Sequence, residues 1–151
     1  MFLSKDRVLR RLDERLAAAK PVKRLTPPPK GWIRALRDAL QMSGAQLGRR
    51  MGVAQQTVTA IEKSEQNGTI QLQTLRKAAD ALGGRLVYAI VPDVTLEEMV
   101  RTQARQIALR ALGRVSHTMK LEAQGTGDAD LEARLENYIR NLKARDLWSD
   151  H

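Results

Sequence analysis

The 151 residues contain no cysteine and only two histidines, His117 and His151. Disulfide frameworks, thiolate nucleophiles and zinc ribbons are thereby excluded, since each needs Cys or clustered Cys and His. Aromatic residues make up 3% of the chain, too few for the stacked rings that hold single-stranded nucleic acid. The opening segment MFLSKDRVLRRLDERL lacks the uninterrupted apolar stretch of a secretory leader. No window approaches the ~20 apolar residues of a membrane-spanning helix. A cytoplasmic, nucleoid-associated protein with no membrane contact, metal or cofactor is expected. Nor does any cluster of acids, histidine or nucleophile stand beside a phosphate-binding loop, so no enzyme is expected.

Positive charge, by contrast, is in excess. Lys and Arg number 26 against 17 Asp and Glu, giving a net +9 and an isoelectric point near 10.5. The natural partner of such a chain is a polyanion or an acidic protein surface. The excess is N-terminal: residues 1–37 carry 11 basic and 3 acidic groups, residues 38–92 carry 6 and 4, and residues 93–151 carry 9 and 10. With 42% hydrophobic residues, the chain can bury one modest core and helical extensions, but it is too short for a large enzyme scaffold.

Apolar spacing organises the chain into helices. Val8, Leu9, Leu12 and Leu16 recur at helical intervals between Ser4 and Lys20, with Ser4 as the expected N-cap and an arginine-rich outer face. Pro21 ends this helix, and Thr26-Pro27-Pro28-Pro29-Lys30-Gly31 forms a stiff spacer. These first thirty residues read either as a solvated arm or as a phosphate-binding one. Four short helical patterns follow: Trp32, Ile33, Leu36 and Leu40; Leu47 and Met51; Val58 and Ile61; and Leu72, Leu75, Ala78, Ala79 and Leu82. Beyond Gly83-Gly84, residues 85–91 (RLVYAIV) are β-branched and aromatic enough to be a strand. A single strand needs an edge to pair with, which predicts exchange across a two-fold dimer through Leu86, Val87, Tyr88, Ala89 and Ile90. Thr95 with Glu98 then forms a capping box for a long helix to about Met119. A final helix from about Asp130 to Arg145 follows, closed by a Leu147-Trp148 hook.

Residues 43–62 (SGAQLGRRMGVAQQTVTAIE) carry the most chemistry. A helix-turn-helix needs a small residue where its helices cross closely, a turn glycine able to take positive φ, and apolar locks on both helices. Gly48, Gly52, Val53, Val58 and Ile61 meet these demands. Gln55, Gln56, Thr57 and Thr59 then gather where a major groove would lie. Glutamine bonds adenine bidentately, and threonine bonds a base edge or touches a thymine methyl. Ser43, at a helix N-terminus, suits a phosphate oxygen, and Arg49, Lys63, Lys23, Arg24, Lys30 and Arg34 are further phosphate candidates. The competing reading of the same residues is a helical hairpin in a small bundle with glutamines on a solvated face.

Residues 32–82 resemble the lambda-repressor-like, Cro/C1-type (Xre) helix-turn-helix, and Ala54-Gln55-Gln56-Thr57 resembles the glutamine-led recognition helices of phage repressors. Ala60 stands where some of those repressors carry a further glutamine. The run from Asn67-Gly68-Thr69 through residues 85–91 resembles the HipB type of antitoxin, in which the strand pairs across the dimer. Over most of the chain, Gly31-Trp32-Ile33-Arg34, Gln55-Gln56, Leu86-Val87-Tyr88-Ala89, Leu96-Glu97-Glu98-Met99-Val100 and Arg114-Val115-Ser116-His117-Thr118-Met119 resemble the family called mobile mystery protein A. That resemblance implies an antitoxin and autorepressor with a Fic-domain partner, an enzyme class that transfers AMP. It further implies an inhibitory Ser/Thr-x-x-x-Glu-Gly/Asn motif, to which Thr118 and Glu122 correspond, whereas Ala123 departs from it.

The expected fold is therefore mainly α: a lambda-repressor-like helix-turn-helix core with one dimer-exchanged β-strand, an N-terminal helix and a C-terminal helical extension. Residues 1–30 form the basic helix and linker, 31–92 the DNA-binding domain, and 93–151 a partner-binding region. The expected function is a homodimeric repressor on a palindromic duplex operator that also inhibits a Fic-type toxin. A plain phage-type or Xre-type regulator without a toxin is the alternative. A different class, a protein-binding inhibitor whose helix-turn-helix is only a scaffold and which docks a partner groove through Leu131, Leu135, Ile139 and Trp148, would show little salt dependence.

Overall fold

The computed structural model describes residues 3–119 and 127–149. All its regular structure is helical: α1 (Leu3–Ala17), α2 (Trp32–Ala39), α3 (Gly44–Met51), α4 (Gln55–Gln66), α5 (Leu72–Ala81), α6 (Leu96–Met119) and α7 (Asp128–Asn141), with 3-10 turns at Lys20–Arg24 and Ala144–Asp146. The chain forms two compact units. One is Pro21–Ile90; the other joins Met1–Lys20 to Val91–His151.

In the Pro21–Ile90 unit, each of the four helices α2 to α5 contributes one buried residue to the core: Ile33, Leu47, Val58 and Ala78. Met42, Met51, Val53, Ile61, Ile70, Leu75 and Leu82 close around them. The four buried positions lie on the stripes read from sequence, whereas Met42, Val53 and Ile70 come from the connections between helices; full burial of each larger side chain contributes about 1.5 to 3 kcal/mol. Helices this short are marginal in isolation, so this shared core holds them rather than intrinsic propensity.

The other unit packs α1 and α7 on α6. Ala104, Ile107, Leu142 and Leu147 form its buried cluster, flanked by Val100 and Ile139. Asp13 of α1 reaches across 83 residues of sequence to α6, where its carboxylate accepts from the backbone N–H of Leu96 at 2.8 Å and of Glu97 at 3.2 Å. Thr95 Oγ1 accepts from Glu98 N at 3.1 Å, so two side chains satisfy the first-turn donors of α6. Between α6 and α7, Arg105 makes a bidentate pair with Glu132 at 2.9 and 2.6 Å. That pair raises the Arg105 pKa and holds the Glu132 carboxyl below its ordinary value, in both cases chiefly through the hydrogen bonds between them. A depressed carboxylate contributes stability above the ordinary Glu range, which is lost as pH falls through its folded-state pKa.

Several boundaries differ from those read in the sequence. Ser4 lies inside α1, which already includes Leu3, so it is not the N-cap. The last helix runs Asp128–Asn141 rather than to Arg145, because Leu142 turns extended (ψ 129°) to enter the core. Of the terminal hook only Leu147 is buried, with Gln103 Nε2 donating to its carbonyl at 3.0 Å; Trp148 is 60% exposed. Residues 85–91 join no helix and no strand ladder among the described residues. The reason is physical: the chain around them is helical and offers no edge that could pair with their backbone.

Replacing the carboxylate that joins α1 to α6 isolates its contribution. Asp13→Ala should destabilise the protein by about 0.5 to 2 kcal/mol and speed amide exchange at Leu96 and Glu97, measured by denaturant unfolding and hydrogen exchange. Unchanged exchange at both amides would contradict the capping role.

Candidate nucleic-acid interface

Helix α3 ends on Gly52, which takes the left-handed conformation (φ 73°, ψ 30°) while Val53 N donates to Gly48 O at 2.8 Å. A side chain at Gly52 would be strained in that conformation. Gly48 is needed for space instead: a Cβ there would stand 2.6 Å from the Val53 carbonyl oxygen. The chain thus turns sharply over residues 52–54 and starts α4 at Gln55.

One side of α4 is fastened to α2 by two carboxylates. Glu62 is 7% exposed and takes Arg37 bidentately, with Nε to Oε1 at 2.5 Å and Nη2 to Oε2 at 3.2 Å. Arg37 Nη1 also donates to the Met42 carbonyl at 2.9 Å. The hydrogen bond to Glu62 raises the Arg37 pKa above its ordinary value despite desolvation. One turn along, Glu65 accepts from the backbone N–H of Trp32 at 2.7 Å and of Ile33 at 3.0 Å, closing the N-terminus of α2. A carboxylate there also complements the positive end of the helix dipole. Val58, Ile61, Glu62 and Glu65 therefore face inward.

The opposite side of α4 is polar and open. Gln56, Thr59, Ala60 and Lys63 are all exposed, and their i, i+3, i+4, i+7 spacing puts them on one face. Gln55, also exposed, stands at the leading end of the helix, and Thr57, exposed as well, lies to one side of the face. Thr59 Oγ1 donates to the Gln55 carbonyl at 3.2 Å, which leaves its oxygen free to accept. Ala54 is the N-cap and supplies no side-chain acceptor, so the first-turn donors of α4 are not closed by a cap of the kind found on α3. The base-reading set expected from sequence is thus brought together at one exposed helix end.

The expected phosphate set is more scattered. Ser43 Oγ accepts from Gln46 N at 3.1 Å while Gln46 Oε1 accepts from Ser43 N at 2.8 Å, a reciprocal capping box that leaves the Ser43 hydroxyl proton available. Arg49 and Lys63 are exposed, as is Lys30. Arg34 is engaged inside its unit, with Nε 3.2 Å from Asp38 and Nη1 3.7 Å from Glu62. Lys23 and Arg24 end the 3-10 turn Lys20–Arg24. Arg50, not singled out in sequence, donates from Nε to the Ala81 carbonyl at 2.6 Å and ties α3 to the end of α5.

Val87, Tyr88 and Ile90 are 73%, 63% and 88% exposed. Leu86 is half-buried and lines an apolar groove of about 290 Å³ with Leu25, Trp32, Leu36, Leu75 and Leu82. Ala89 is exposed. Thr118 lies within α6, whereas Glu122 falls outside the described residues.

Comparison with known families settles what this α2 to α5 unit is. Residues 33–88 match the family model described as Helix-turn-helix. The segment is a helix-turn-helix domain of the Xre/Cro-C1 type. This agrees with the mainly α class expected from sequence, and it speaks for a DNA-binding transcriptional regulator of the Xre type. No curated protein and no solved structure matches the chain. No described helix is long and apolar enough to cross a membrane. Sequence reasoning about the helix-turn-helix missed the two carboxylates that orient its second helix. Their i, i+3 spacing on an apolar face was the available signal, and Ser43-x-x-Gln46 likewise spelled the capping box.

The ionic clasp between α4 and α2 is open to direct test. Glu62→Ala leaves the half-buried Arg37 only its contacts to Asp38 and the Met42 carbonyl and should destabilise the helix-turn-helix by about 1 to 3 kcal/mol. Replacing both partners with Glu62→Leu and Arg37→Met should cost much less than the two single changes together, as read from denaturant melts. Additive losses would contradict a coupled pair.

Proposed function

We propose that this protein is a homodimeric, sequence-specific repressor that reads duplex DNA with the exposed end of α4. The observation that carries this reading is the sidedness of α4. Its inner face is consumed by Val58, Ile61, Glu62 and Glu65, while Gln55, Gln56 and Thr59 gather on exposed surface at the helix start. Side chains that accept and donate at a helix end entering the major groove discriminate base pairs there. Ser43, Arg49, Lys63 and Lys30 supply phosphate contacts that fix register but carry no sequence information. Residues 85–91 pair with their copy in a second subunit, a reading supported by exposed Val87, Tyr88 and Ile90 and by the lack of a ladder partner among the described residues. Two such domains place recognition helices about one DNA turn, ~34 Å, apart on a palindrome at the nucleoid.

The finer reading, that this repressor is also the antitoxin of a Fic-type toxin, is supported by the resemblance of the Arg114–Met119 and Leu96–Val100 segments to mobile mystery protein A. Of the partner-binding residues expected from sequence, Leu135 is fully buried and Ile139 packs against the core, so the surface that supports this reading is Leu131 and Trp148, with Tyr138 exposed as well. A glutamate four residues after a threonine would share a helix face with it, and charge-assisted pairing of Glu122 to an arginine would exclude an ATP phosphate.

Footprinting of the gene's own promoter tests the first reading. Gln55→Ala or Gln56→Ala should weaken operator binding by ~1 to 3 kcal/mol while sparing binding to unrelated duplexes. Loss of neither affinity nor site preference in both variants would remove the assignment. For the second, co-expression with a Fic-type enzyme from the neighbouring reading frame should show protection that Glu122→Gly abolishes; intact protection would rule out the arginine-pairing mechanism.

A further inference from the structure

Helix α1 belongs to the unit that contains α6 and α7, outside the helix-turn-helix. Its inner side is marked by half-buried Asp6, Leu9, Asp13 and Leu16, and Asp13 is spent on the N-terminus of α6. At about 100° per residue, Arg7, Arg11 and Arg15 fall on the line diametrically opposite that side. All three are exposed, with Arg10 exposed beside them.

Several arginines on helices of this protein sit against a carboxylate: Arg34 on Asp38, Arg37 on Glu62, Arg101 on Glu97, Arg134 on Asp130 and Arg105 on Glu132. Arg49, Arg76, Arg110 and Arg140 make no such pair among the described residues; what sets α1 apart is that three such arginines stand in one row. Four residues from Arg11 stand Arg7 and Arg15, and exposed Glu14, three residues on, is the one acid beside the row; none of the three arginines makes an ion pair among the described residues. Like charges at this spacing repel one another. Glu14 offsets part of that repulsion, and with three guanidinium groups to one carboxylate the row keeps a net positive charge that a polyanion would match.

We propose that the Arg7, Arg11 and Arg15 stripe is a second nucleic-acid site, for the phosphate backbone of duplex DNA, separate from the base-reading end of α4. Three guanidinium groups at about 6 Å intervals span about 12 Å, the axial length of three to four base-pair steps at about 3.4 Å each. Guanidinium is the side chain best suited to bidentate phosphate binding. Asp13 holds α1 on α6, so the stripe is presented on a docked helix and loses less entropy on binding than a disordered arm would. Val8 and Leu12 are 64% and 44% exposed beside it. A membrane-surface helix, however, needs a broad apolar face, and here Leu9 and Leu16 are turned into the protein. The choice of duplex DNA as the polyanion rests on the proposed function, since a duplex held by the helix-turn-helix is at raised effective concentration for any other site on the same chain.

The test compares the full chain with the triple variant Arg7→Gln, Arg11→Gln, Arg15→Gln on promoter and shuffled duplexes over a series of salt concentrations. A second triple variant, with Lys at the same positions, keeps the charge. The Gln variant should bind both duplexes on the order of 10- to 100-fold more weakly near 0.15 M salt. Its plot of log affinity against log salt should be shallower by about 2 to 3, with the promoter-to-shuffled ratio unchanged. The Lys variant should keep the parent slope. An unchanged slope in the Gln variant overturns the proposal, as does equal loss in the Lys variant, which marks a structural effect. A loss confined to single-stranded RNA or to anionic phosphatidylserine vesicles also overturns it. If the parent protein does not distinguish promoter from shuffled DNA, yet the Gln variant still flattens both slopes, the base-reading assignment of α4 fails and the α1 site stands.

Discussion

The helix-turn-helix depends on how α4 is gripped. Two of its glutamates, a turn apart, reach α2 in different ways: buried Glu62 takes the half-buried Arg37 guanidinium, and Glu65 takes the free N–H groups at the start of α2. A buried ion pair need not stabilise a fold relative to apolar residues of the same volume, because desolvation offsets much of its attraction. What it does here is fix rotation. A helix held only by Val58 and Ile61 could roll about its axis at small cost in packing, whereas a bidentate pair and two backbone hydrogen bonds tolerate one orientation. With that orientation set, the 3.6-residue repeat leaves Gln56, Thr59 and Lys63 pointing outward.

Close approach at the elbow completes the same constraint. Gly48 admits the Val53 carbonyl, and Gly52 reverses the chain in a conformation that favours glycine, so α4 leaves α3 at a set angle. Arg50, bonded to the end of α5, anchors α3 from its other side. Rigidity of this kind matters for base reading, where the entropy of ordering long side chains competes directly with the few hydrogen bonds gained.

Much of this was legible in the sequence because it is local. The four stripes from Trp32 to Leu82, the turn glycine, the polar helix start and the Thr95 cap each need only a few neighbouring residues to be recognised. The parts that were not legible are long-range. Nothing near Asp13 announces that it closes a helix beginning 83 residues later, and so the first helix reads as an arm although it is part of a folded unit. The spacing of Glu62 and Glu65 puts them on the face of Val58 and Ile61, but their partners lie 25 and 32 to 33 residues earlier and nothing local names them. Residues 85–91 show the opposite failure. Their composition is that of a strand, but a strand is a property of two segments, and the described chain offers no second one.

Sequence-specific repression requires that the outward end of α4 meet base edges. Amide chemical-shift mapping of the labelled full chain, titrated with a duplex from its own promoter, tests that requirement most directly. The largest changes should fall on residues 54–59, with weaker ones at Ser43 and Gly44, and should shrink there on a shuffled duplex. Changes absent from α4, or identical on both duplexes, would contradict it.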